Sequence, residues 1–304
     1  MESFGETTSQ PSLSPRETRG TICCGMAGVQ VTVRGNAAAK PIMDRLPDRG
    51  KARAIAAEVV AFYGDYLQYH ESSTLPSSLF EIKMQHDPIK LKYAQIGLRL
   101  GTGRTAEALS HELLHLRLGI LGYPMGEEVW VPHELIPYAD HLMGMHAIVV
   151  NLLHHELIFE AFLDLGFKEH LFLARPEPPP DYETLAQSLL ISPDYAAELG
   201  FPWWCLEYFR HWLSMRHGHG EQSGVYANDA IRWASRRHPE IAEATQNMRR
   251  IVESGMLRDV GEYPNLANRL LELMRMPIYT KWVSLKSPTA AKAQVLSADT
   301  LLQF

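Results

Sequence analysis

Hydrophobic and polar positions divide this chain into a short strand-bearing beginning and a long helical remainder. Over residues 29–34 β-branched residues alternate with polar ones, which predicts a strand, and Gly35-Asn36 mark a turn after it. Ile55, Val59, Phe62, Tyr66 and Tyr69 then recur at helical spacing and predict a helix over 51–69. Pro76 interrupts the chain before a second strand expected over 79–84, and Asp87-Pro88 makes a turn. In 89–100 the alternation of Ile89, Leu91 and Tyr93 with lysines changes phase to Ile96, Leu98 and Leu100, which predicts a bulge or two short strands.

A helix is expected over 105–118, with Thr105 as its cap and Gly119, Gly122 and Pro124 ending it. Residues 125–137 read as a loop carrying Glu127, Glu128 and His133. Residues 138–166 contain no proline and read as one long helix, or two with a kink near Gly144. Leu142, Met145, Val149, Leu152, Leu153 and Leu163 share its broad apolar face, and Glu156 and Glu160 fall inside that face. The proline run of 175–181 is a stiff connector and marks a boundary. Helices follow over 181–190, 194–199, 202–216, 228–238, 239–254 and 265–276. The aromatic cluster Trp203, Trp204, Tyr208, Phe209 and Trp212 reads as core packing.

The expected class is therefore α+β, predominantly helical. A Ser-, Thr-, Pro- and Glu-rich tail over 1–20 reads as disordered. A first domain would span 21–173 and a helical C-terminal domain 181–304.

Chemistry enters with His111-Glu112-Leu113-Leu114-His115, an H-E-x-x-H string on a predicted helix. Residues four apart share a helix face, so both imidazoles converge on one point, and Glu112 can reach a water held there. Zn²⁺ takes neutral imidazole ligands and keeps a position open for water, and a nearby carboxylate can serve as the base. A third protein ligand must come from elsewhere. A buried carboxylate is costly unless paired, protonated or bound to metal, which draws attention to Glu156 and Glu160. His154 or His155 could also serve, since imidazole suits zinc. His154 projects away from Glu156 and is expected in solvent. His155 lies at the edge of the apolar face, as a partly buried core residue or one supporting a ligand.

The string Glu160-Ala161-Phe162-Leu163-Asp164 together with the H-E-x-x-H segment resembles the gluzincin metallopeptidases, the thermolysin-like clan. The resemblance covers these two segments only. It implies a zincin-like core with His111, His115 and Glu160 as zinc ligands. It also implies Glu112 as general base and Asp164 as the carboxylate orienting a ligand imidazole. In zincin-type folds a strand just before the motif helix forms the edge along which an extended substrate lies; here that would be 89–100, where Gly97 and Gly101 would admit a close backbone. Such enzymes often stabilise the oxyanion with a C-terminal His or Tyr, for which Tyr208, His211, His217 and His219 are available. The metzincin pattern does not fit: Gly119 is displaced by one position and its third His is missing.

Composition narrows the rest. The chain has 304 residues, and 46% hydrophobic content suits a globular core. A formal charge of −6 carries no basic footprint, so nucleic-acid binding is not expected. Three cysteines, Cys23, Cys24 and Cys205, make neither a disulfide framework nor a zinc knuckle and suit a reducing compartment. Apolar stretches broken by charge or His, and the lack of a leader pattern, lead to the expectation of a cytoplasmic protein without a membrane partner. The sequence leads to a zinc-dependent metallopeptidase acting on a peptide or protein. The rivals are a regulatory metalloprotease acting on one partner protein and a non-catalytic helical binding protein.

Overall fold

The computed structural model describes residues 31–47, 50–85, 90–173, 193–285 and 294–296. The expected tail, Cys23-Cys24, the proline run, the helix over 181–190 and most of the chain beyond 286 lie outside these residues.

Four strands build a sheet in the order β1-β2-β4-β3: β1 Val31–Arg34, β2 Leu67–Ser72, β3 Leu79–Gln85 and β4 Lys90–Arg99. β2 and β4 run parallel, while β1 and β3 are antiparallel to their neighbours. The phase change in β4 is a bulge. Lys83 and Met84 of β3 pair with Tyr93 and Leu91, leaving Lys92 unmatched. Burial changes phase with it, from Leu91 to Ala94, Ile96 and Leu98. The strand leading into the motif helix is thus central, and β1 and β3, not β4, are the end strands of the sheet among the described residues. Gly97 is not a landing place for a second backbone either, because a Cβ there would stand 2.8 Å from the buried His70 ring.

Two helices follow β1: α1 Asn36–Arg45, where only a turn was expected, and α2 Lys51–Tyr63. The helix expected over 51–69 stops early because Gly64 adopts φ +48, and the apolar residues beyond it turn into β2. α2 buries Ala52, Ile55, Ala56, Val59 and Tyr63, one helical stripe, and packs against α3 Thr105–Ile120. The approach is close. The Tyr63 hydroxyl donates to the Leu116 carbonyl at 2.8 Å, and a Cβ on Gly119 would meet that hydroxyl at 2.5 Å. α3 also lies against β3 and β4, so every residue from Leu109 to Leu116 is buried.

The segment read as a loop after α3 contains a strand, β5 Pro124–Trp130. It pairs antiparallel with β6 Tyr279–Ser284, which in turn pairs with β7 Gln294–Leu296. A strand whose partner lies some 150 residues away leaves little local signature.

α4 Ala139–Asp164 is one unbroken helix through Gly144. With the turn before it, His133–Asp164 is long and apolar enough to cross a membrane by length and composition, contrary to expectation. It is also the helix around which the fold packs, and 61% of its apolar window is buried. The C-terminal helices are α5 Pro193–Ser214, α6 Gly220–Ala234, α7 Ile241–Glu253 and α8 Tyr263–Leu273. Trp204, Tyr208, Phe209 and Trp212 of α5 are buried, as core packing requires. α4 touches α5 and α8, and a single apolar core runs from Ala38 to Leu285. The boundary expected near residue 180 falls outside the described residues, and the parts on either side of it share that core.

Candidate metal centre

α3 carries His111 and His115 one turn apart on the face turned to α4, and α4 carries His155 opposite them. His115 Nε2 lies 3.1 Å from His111 Nε2, which lies 3.2 Å from His155 Nε2. All three donor atoms fall within 4.8 Å of one another, and all three rings are buried. Ligands held tetrahedrally at the usual zinc–nitrogen length stand about 3.3 Å apart, so this spacing suits one ion. The donor chemistry agrees. A neutral imidazole has one N–H and one lone pair, and three nitrogens aimed at one point cannot all satisfy each other. The Nδ1 atoms of His115 and His155 also lack a hydrogen-bond partner among the described residues. A buried three-histidine group of this kind could hold a metal ion.

Burial keeps these rings neutral, the form that binds metal. It lowers His111 to about 4, with the Phe172 backbone pulling the other way and His217 adding to the fall. His115 and His155 are driven well below the ordinary value, by burial first and then by neighbouring histidines. Glu112 is 7% exposed, and burial pushes its carboxyl up to about 8. Aromatic rings wall the centre. Phe80 of β3 stacks on His115 at 4.2 Å, and Phe172 stands 4.8 Å from His111.

The other expected ligand is not there. Glu160 is 66% exposed and accepts from Arg258 at 2.6 Å, which holds its carboxyl below the usual carboxylate range. The reason is rotational: five residues beyond His155, it sits about 140° round the helix from it. Asp164, at the end of α4, is exposed and does not orient a ligand. Glu156 is buried but answers to other partners, accepting from His217 Nε2 and from Arg216, both at 3.0 Å. Burial raises its pKa, yet these two hydrogen bonds outweigh that and the net direction is down.

His154, expected in solvent, is 3% exposed, with its ring 5.8 Å from that of His115. His155 stands at the edge of the apolar face when that face is drawn from its aliphatic residues alone. Phe159 and Phe162, four and seven positions on, mark the face on which His155 lies. Of the expected oxyanion donors, His217 comes nearest, its ring 5.5 Å from that of Phe172. Tyr208 is buried in α5, His211 Nε2 is 3.5 Å from Glu207, and His219 is half-buried. His133 is exposed, and Glu128 pairs with Lys281 at 3.3 Å.

The buried histidines make the metal-free protein acid-sensitive. His111, His146 and His154 are each lowered to about 4, burial being the leading cause. Their stabilising contribution is full above about 6.5, where the unfolded chain is neutral too. It is lost as pH falls from there to about 4, because only the unfolded chain takes up protons in that window. Each is worth up to about 3 kcal/mol by pH 4. Chemical denaturation in chelator should show stability falling steeply between pH 6.5 and 4.5, and His146→Phe, remote from the centre, should flatten that slope. A profile flat across the window would contradict burial in the neutral form.

Comparison with protein-family models, with curated proteins and with solved structures finds no match to this chain. The arrangement of residues is therefore the basis for a functional reading.

Proposed function

We propose that this protein is a zinc-dependent peptidase of the H-E-x-x-H type, in which His111, His115 and His155 hold the metal and Glu112 is the general base. The observation that carries the reading is the convergence of three Nε2 atoms from two helices, with the buried Glu112 following His111 in the chain. The ligand set thus departs from the gluzincin pattern, with an imidazole in place of Glu160. Bound there, Zn²⁺ would supply a Lewis acid and lower the pKa of a coordinated water.

The chain's own residues supply the remaining work. Glu112 takes the proton of the water that attacks the peptide carbonyl and delivers it to the departing amine. Its burial favours this, since a raised pKa lets the carboxyl both accept and release a proton near neutrality. Phe80 and the burial of the centre keep bulk solvent away. β3 ends its sheet and carries Phe80 against His115, so a peptide adding as a further strand would pass beside the centre.

The test is digestion of a peptide library by zinc-loaded protein, read by mass spectrometry. Cleavage should vanish on chelation and return with zinc. Stoichiometric zinc without cleavage of any peptide or protein would leave a metal-binding protein and end the peptidase reading.

A further inference from the structure

The centre is closed from one side by the chain that leaves α4. α4 ends at Asp164, and Gly166 reverses the chain with φ +89 and open space around its Cβ position. Residues 167–173 then fold back over the histidines. Phe172, 3% exposed, lies in a ring of five partners: His111 at 4.8 Å, Phe159 at 5.0 Å, Phe162 at 5.2 Å, His217 at 5.5 Å and His155 at 5.6 Å. Two of these are the metal-binding rings, so one side chain covers both helices' contributions to the centre. With it in place, His111, His115, His155 and Glu112 are each 9% exposed or less.

Around Phe172 the segment is partly buried: Leu165, Phe167, Leu171 and Leu173 pack against the core, with the Phe167 ring 5.0 Å from that of Phe162. One 3₁₀ turn holds it internally, through Leu171 N–H to the Lys168 carbonyl and Phe172 N–H to the Glu169 carbonyl. Lys168, Glu169 and His170 are exposed and make no ion pair among the described residues. The outer contact is steric. The backbone of Glu169 lies so near Gly218 that a Cβ there would come within 3.0 Å of its carbonyl carbon.

We propose that residues 165–173 are a lid on the three-histidine centre, latched by Phe172 and pivoting at Gly166. The ion and any substrate reach the centre only when the lid lifts. The closed form is then a resting state, and its opening precedes both metal loading and turnover. This rests on the reading of the three histidines as a metal site.

The test follows metal association rather than activity. Metal-free protein is mixed rapidly with excess Co²⁺, read by its visible absorption, or with Zn²⁺, read by competition with a chelating dye. A lid makes the observed rate level off as ion concentration rises, and the plateau is the same for both ions because it reports opening alone. Phe172→Ala should raise that plateau about tenfold or more, since the latch loses a whole buried ring. Phe172→Leu, which keeps most of the volume, should fall between and serves if the alanine variant does not fold. A rate that climbs linearly with concentration and is equal in wild type and variants would overturn the lid while leaving the metal site standing. No ion bound at equilibrium would overturn both.

Discussion

Glu112→Gln is expected to make the metal-free protein more stable at neutral pH and the zinc-loaded protein inactive. The wild-type carboxyl, raised to about 8 by burial, is protonated in the fold at pH 7 and ionised in the unfolded chain. Its penalty is absent below about 4.5, grows as pH rises, and is complete above about 8; at pH 7 it amounts to about 3 kcal/mol. Glutamine fills nearly the same volume and carries no such penalty. The gain should therefore appear in denaturation curves at pH 7–8 and shrink towards pH 4.5. It should narrow in zinc-loaded protein, where positive charge beside Glu112 favours its ionised form. Turnover should fall by at least about 10²–10⁴-fold, the usual contribution of a positioned base, while zinc stays bound at one per chain. A variant that is both stable and active would remove Glu112 from the mechanism. Gained stability with lost activity is the trade-off expected where function keeps an unfavourable group buried.

His155→Ala is expected to abolish stoichiometric zinc binding, and Glu160→Ala to leave it intact. The first removes one of three converging nitrogens, and the loss in affinity should exceed the roughly hundredfold effect of removing a group that merely supports a ligand. The second removes an exposed carboxylate whose visible work is an ion pair with Arg258. Such pairs contribute up to about 1 kcal/mol, and little when solvent screens them. Glu156→Ala should also retain the metal, but strands His217 and Arg216 without their acceptor and should lower stability instead. Metal content by mass spectrometry, beside a denaturation curve for each variant, separates the two effects. Zinc lost in Glu160→Ala and kept in His155→Ala would restore the ligand set that the gluzincin resemblance implies.

Local signals carried a good part of the fold. The period of four places His111 and His115 on one face whatever surrounds them, because a helix permits no other arrangement. The same logic marks α4 as helical, puts the aromatic face of α5 in the core and shows the change of phase in β4; the structure decides for one unbroken helix and for a bulge. Where two readings of a local pattern compete, the local signal alone is not enough. The apolar spacing that continues from α2 past residue 63 is equally compatible with β2, and Gly64 decides between them.

The third histidine of the cluster was not legible in this way. His154, His155, Glu156 and Glu160 are all chemically able to serve, and periodicity orders them only by angle around α4. Which angle faces α3 depends on how the two helices roll against each other. In the fold Phe159 and Phe162 pack on Phe172 at 5.0 and 5.2 Å on the His155 side of α4, while Glu156 and Glu160 face Arg216 and Arg258. The pairing of β5 with β6 and the central place of β4 belong to the same class, since each depends on partners far away in the chain. The sequence by itself determined the helix that bears the motif, the shared face of His111 and His115 on it, and the α+β class, because short-range geometry is enough for these. Only the tertiary structure decided the third imidazole, the carboxylates it displaced and the segment that covers the centre, because these are settled by packing between elements that do not touch along the chain.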